Sequence, residues 1–144
     1  MTIDKYHKWV NAYLIDPYAA NVTNLRISSG GDAEIFKALK CDFFRAGGYL
    51  PTGDVIYIEH NEIKEDNPHT NYFRIPSVSA HPLPGRGVVV GVTDAEGLAT
   101  DAAITAEGLV QAIHWVYSLN NDGSATFEVK ATRDWSLNTE EVVV

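Results

Sequence analysis

The sequence predicts an α+β fold: a single domain with a mainly antiparallel, curved sheet and two short helices. Three observations carry that expectation. Short segments alternate apolar with polar side chains and stop at Gly, Pro, Asn or Asp, which is the chemistry of strands and turns. Two windows only have helical apolar spacing, and they are interspersed among the strands. The chain has 144 residues, a length that suits one domain and can bury a core without staples.

Taken in order, VNAYLID (10–16) reads as a strand, and Asp16-Pro17 ends it in a turn. NVTNLRI (21–27) sets Val22, Asn24 and Arg26 against Thr23, Leu25 and Ile27, an imperfect period of two that suits the partner strand of a hairpin. Ser28-Ser29-Gly30-Gly31 breaks it. DAEIFKALK (32–40) reads as a helix with Asp32 as its cap, Ile35, Phe36 and Leu39 on one face, and Lys37 and Lys40 near the C-terminal end of the dipole. CDFFRAGGYL (41–50) fits a short strand ending at Gly47-Gly48. GDVIYIEH (53–60) is a strand with Val55, Tyr57 and Glu59 on one side and Ile56 and Ile58 on the other.

An acidic, turn-rich connection follows, then the strand NYFRIP (71–76), which Pro76 terminates. GVVVGV (87–92) is apolar at every side chain, as in a strand buried on both faces. Asp94-Ala95-Glu96-Gly97 is a turn. TAEGLVQAI (105–113) is a short helix capped by Thr105 and weakened by Gly108. IHWVYSL (113–119), NNDG (120–123) and SATFEVK (124–130) form a hairpin. The domain is expected over residues 1–131, with 132–144 as a tail in which Trp135 and the terminal EVVV can dock.

Net charge is −8. Between Ala46 and Val129 the strong cations are Lys64, Arg74 and Arg86, so the chain lacks the basic stripe of direct nucleic-acid binding. An acidic surface instead suits solubility, or a basic partner whose own ligand it imitates. The opening MTIDKYHKWV is polar, and no apolar run approaches the ~20 residues of a membrane span. Cys41 is the one cysteine, which favours a reducing compartment. A cytoplasmic setting without membrane contact is expected.

Several motifs recur in a recognisable order. They are Leu14-Ile15-Asp16-Pro17, the helix Glu34–Leu39 running through Lys40 into Cys41-Asp42, and Gly53-Asp54-Val55-Ile56-Tyr57. Phe73-Arg74-Ile75 follows, then Pro82-Leu83-Pro84-Gly85-Arg86-Gly87-Val88-Val89-Val90-Gly91 and Asp94-Ala95-Glu96-Gly97. In these, over roughly residues 10–112, the chain resembles a family of small phage- and plasmid-encoded accessory domains with no assigned activity. The 42–52 connection is longer than that pattern, and the C-terminal hairpin with Trp115 lies outside it. The resemblance implies a mobile-element setting and action on host machinery, host defence included. It carries over no catalytic residue.

The residues themselves offer two kinds of site. Arg86, between Gly85 and Gly87, can grip an anion where backbone approaches closely, or it can pair with Asp94 or Glu96 in a tight turn. Arg74 shares a strand face with Tyr72, so the pair can hold a phosphate and a base, or Arg74 can pair across strands with Glu59 or another acid. A protein contact is the second kind, with Trp115 and Tyr117 as aromatic anchors if their face is exposed, and Glu62, Glu65 and Asp66 as acidic contacts.

Metal and nucleophile patterns are weak. His60, Glu62, His69 and His81 form no HExxH and no close histidine pair. Glu59–Asp66 lacks EF-hand spacing. Cys41 follows a helix rather than starting one, and Ser77 and Ser79 sit in no nucleophile elbow. The function expected is therefore non-enzymatic binding without a cofactor. The partner is a small anionic ligand, sequestered, or a host protein, occluded. An acidic mimic of nucleic acid, an enzyme with a dispersed site and a homo-oligomer are the alternatives.

Overall fold

The computed structural model describes residues 8–60, 71–119, 125–131 and 141–142. Its elements are β1 (Trp9–Asp16), β2 (Asn21–Ser28), α1 (Ala33–Leu39), β3 (Phe44–Tyr49), β4 (Val55–Glu59) and β5 (Tyr72–Arg74), followed by β6 (Leu83–Pro84), β7 (Gly87–Val90), α2 (Ala106–Ala112), β8 (His114–Leu119), β9 (Ala125–Lys130) and β10 (Glu141–Val142). The fold is α+β and mostly antiparallel. The strands divide into two sheets, one of order β10-β2-β1-β7-β4-β3 and one of order β6-β5-β8-β9.

The β1–β2 hairpin turns at Asp16, whose Oδ1 accepts the N–H groups of Tyr18 (2.9 Å) and Ala19 (3.3 Å). This is the local side-chain turn that Asp before Pro favours. β10, from the C-terminal segment, lies parallel to β2 with Val142 opposite Leu25. β8 and β9 pair antiparallel as predicted, with Trp115 opposite Val129; the NNDG turn (120–123) lies outside the described residues.

The larger sheet is buried on both faces, which explains the valine run. Val88 and Val90 join Val10, Ala12, Leu14, Leu25 and Ile27 beneath α1, whose Ile35, Ala38 and Leu39 cover that face. Val89 points the other way with Ile15, Ile56 and Ile58, into a core shared with Phe73, Leu109, Ile113 and Trp115. Strand alternation thus gives two apolar layers from one continuous sequence run.

The helix ends differ from one another. Thr105 caps α2 as expected, its side chain accepting from Gly108 N–H at 3.0 Å. Asp32 occupies the capping position of α1, but its side chain makes no cap hydrogen bond. Glu34 in the first turn reaches back instead and accepts the N–H of Ser28 at 3.0 Å, so the acid ties the helix to β2. Lys40 closes α1 in the left-handed conformation (φ 56°), and Cys41 N–H donates to Phe36 O at 3.2 Å.

Candidate functional site

Arg86 stands where the β1–β2 turn meets the short link between β6 and β7. Ile15 pairs with Gly87 in the antiparallel β1–β7 ladder, which brings Arg86 beside Asp16. The guanidinium Nε lies 3.6 Å from Asp16 Oδ2, and its carbon lies 4.8 Å from the centre of the Tyr18 ring. The acid is therefore Asp16, not Asp94 or Glu96. Asn71 Nδ2 donates to Pro17 O at 3.2 Å, and Gly85 N–H donates to Asn71 O at 2.9 Å. Two motifs remote in sequence, Ile15-Asp16-Pro17 and Gly85-Arg86-Gly87, are thus docked on one another.

Both glycines have structural work. Gly85 has φ +71°, a left-handed turn conformation. A Cβ on Gly87 would sit 2.7 Å from Phe73 Cζ, inside the closed core. Tyr72 joins the same corner; burial raises its hydroxyl pKa and the neighbouring Tyr18 raises it further.

Arg74 is not part of this group. Its Nε donates to Glu128 Oε1 at 2.7 Å, and His114 Nδ1 lies 3.3 Å from the same oxygen. The β5–β8 register, with Arg74 opposite His114, places these groups together. The two arginines therefore do not converge on one anion: each has its own carboxylate.

Trp115 is a core residue, not a protein contact. It is 4% exposed and lies opposite Phe73, inside the core between the sheets. The side chain of Tyr117, together with Glu62, Glu65, Asp66 and His69, lies outside the described residues. Burial and then the Glu59 charge raise the Cys41 thiol pKa, away from the thiolate form. Among the described residues no three His, Cys, Asp or Glu side chains converge as metal ligands, and no helix is long and apolar enough to cross a membrane.

Two features escape sequence reasoning. The first is the edge strand β3. Phe43, just before it, is 63% exposed, and Tyr49, its last residue, is 64% exposed. β3 ends the larger sheet and pairs with β4 alone among the described strands. Its aromatics flank Gly47-Gly48, a signal present in the sequence but compatible with core or surface.

The second is a cleft of about 160 Å³ between the Ser29–Asp32 turn and the segment after β7. Ser29, Asp32, Tyr57 and Thr93 supply its polar lining, over Ile35 and Val90. The Tyr57 hydroxyl pKa is raised by burial first, then by Asp32 and Tyr49. Ser29-Gly30-Gly31, after β2, forms one rim and Gly97-Leu98-Ala99, at the end of the Asp94–Gly97 turn, forms the other. No family model, curated protein or solved structure matches this chain.

Proposed function

We propose that this chain is a non-enzymatic accessory protein of a phage or related mobile element that binds and occludes a host protein, in the service of counter-defence. One observation carries the choice of occlusion: Phe43 and Tyr49 stand exposed at the two ends of an edge strand. Exposed aromatics are favoured interface anchors, and a strand paired on one side alone among the described residues can offer backbone hydrogen bonds to a partner. A charge of −8 suits a basic partner and speeds encounter with it.

Sequestration of a nucleotide-sized anion is less well supported. Arg74 and Arg86 already face Glu128 and Asp16. The cleft is about 160 Å³, against roughly 300–1,000 Å³ for ordinary ligand pockets.

The test has two arms. Thermal melting against a panel of nucleotides, cyclic nucleotides and related signalling molecules is expected to be flat, because only a ligand of the folded state raises its stability. Capture from host lysate is expected to retain one protein with the wild-type chain and to lose it with a Phe43→Ala/Tyr49→Ala variant that melts normally. Retention is expected to weaken as salt rises. A saturable melting shift with one nucleotide, lost in Arg86→Ala, would overturn occlusion in favour of sequestration.

A further inference from the structure

We infer that the cleft beside α1 is a recognition site for a protonated amine or guanidinium group. Size sets the first limit. At about 160 Å³ it matches a cavity that takes one benzene-sized group, ~150 Å³, so it admits a side-chain-sized ligand and not a nucleotide.

Charge sets the sign. Among the described residues, Asp32 is the charged side chain of the lining, and no lysine or arginine shares it. Although Asp32 stands at the capping position, its carboxylate makes no cap hydrogen bond, which leaves it available to a ligand donor. Tyr57 also lines the cleft, and a cation over an aromatic ring gains electrostatic attraction as well as contact. Below, Ile35 and Val90 offer apolar surface to the methylenes behind a charged head.

The walls are held before any ligand arrives. Phe44 packs edge-on to Tyr57 at 4.9 Å between ring centres and against Phe36 at 5.0 Å, so neighbouring rings hold the Tyr57 ring in place. Ala99 N–H donates to Ser29 O at 3.1 Å, which ties one rim to the other. Asp94 Oδ1 accepts from Glu96 N–H (2.8 Å) and Leu98 N–H (3.0 Å), fixing the second rim. A site already shaped for its ligand spends little of the binding energy on ordering.

The ammonium or guanidinium can belong to a free small amine or to a lysine or arginine of a protein. The inference does not rest on the occlusion reading, since other residues carry it and a different probe tests it. Titration with butylammonium and with ethylguanidinium, followed by amide chemical shifts, tests it. Saturable shifts are expected at Ser29, Gly30 and Gly31, with much smaller ones from uncharged butanol. Asp32→Asn is expected to weaken butylammonium about tenfold, and Tyr57→Leu to weaken it independently. Tighter binding of a lysine-containing peptide than of butylammonium would assign the ligand to a protein; equal binding would assign it to a free amine. Equal responses to butanol and butylammonium, or full binding by both variants, would overturn the site.

Discussion

Replacing Asp54 by Ala tests how the second half of the chain is anchored to the first. Asp54 is 1% exposed. Its Oδ1 accepts the N–H of Ala103 at 2.8 Å, and its Oδ2 accepts the N–H of Ile104 and the hydroxyl of Thr52, each at 2.8 Å. One carboxylate thus holds the segment that leads into α2, 50 residues away along the chain. Each hydrogen bond to a charged group contributes ~1.5–3 kcal/mol, and an abandoned buried donor costs ~1–3 kcal/mol. Ala103 and Thr52 are both exposed, so water replaces those two bonds and the net loss is set mainly by the Ile104 bond and its stranded donor. Asp54→Ala is therefore expected to lower unfolding stability by about 2–4 kcal/mol, and Asp54→Asn, which keeps one acceptor, by about 1–2 kcal/mol. Urea unfolding reads this as a fall in midpoint at constant slope. Hydrogen exchange at Ile104 is expected to quicken in the same order. A loss below about 0.5 kcal/mol for Asp54→Ala, with Ile104 still protected, would show that packing and not the carboxylate fixes the segment.

Other perturbations follow from the same geometry. Gly87→Ala drives a methyl toward the buried Phe73 ring and is expected to cost about 1–3 kcal/mol by chemical denaturation; an unchanged midpoint would mean that the ring moves aside freely. Arg86→Ala, whose pair with Asp16 is partly exposed at 3.6 Å, is expected to cost no more than about 1 kcal/mol and to leave host-protein capture intact. Trp115→Ala empties a core position and is expected to cost about 3–5 kcal/mol; selective loss of binding with normal melting would contradict its burial. Burial, aided by Asp54, Asp32 and Tyr18 respectively, holds the Tyr13, Tyr57 and Tyr72 hydroxyls above the ordinary 10.0. The folded state binds these protons more tightly than the unfolded chain, so this contribution is complete below pH 10.0 and is lost as pH rises through the folded values. Tyrosinate absorbance and urea midpoints, measured together above that pH, check the sign; stability rising there would refute it.

What the sequence determined is what neighbouring residues decide between themselves. Alternation in VNAYLID and NVTNLRI, with Asp16-Pro17 between them, specifies a hairpin because both the turn and the pairing are local. Thr105 caps α2 for the same reason. The all-apolar GVVV announces burial on both faces, because no polar side chain is spared for water. Only the tertiary structure decided which remote groups meet. Arg86 chooses Asp16 because β1 and β7 are laddered with Ile15 opposite Gly87. Arg74 chooses Glu128, 54 residues away, because β8 stands between their strands. Trp115 goes inward because Phe73 lies opposite it. The cleft has no sequence signature, since its rims are two ordinary turns joined by the hydrogen bond from Ala99 to Ser29. Such choices depend on long-range register, which composition and periodicity do not encode.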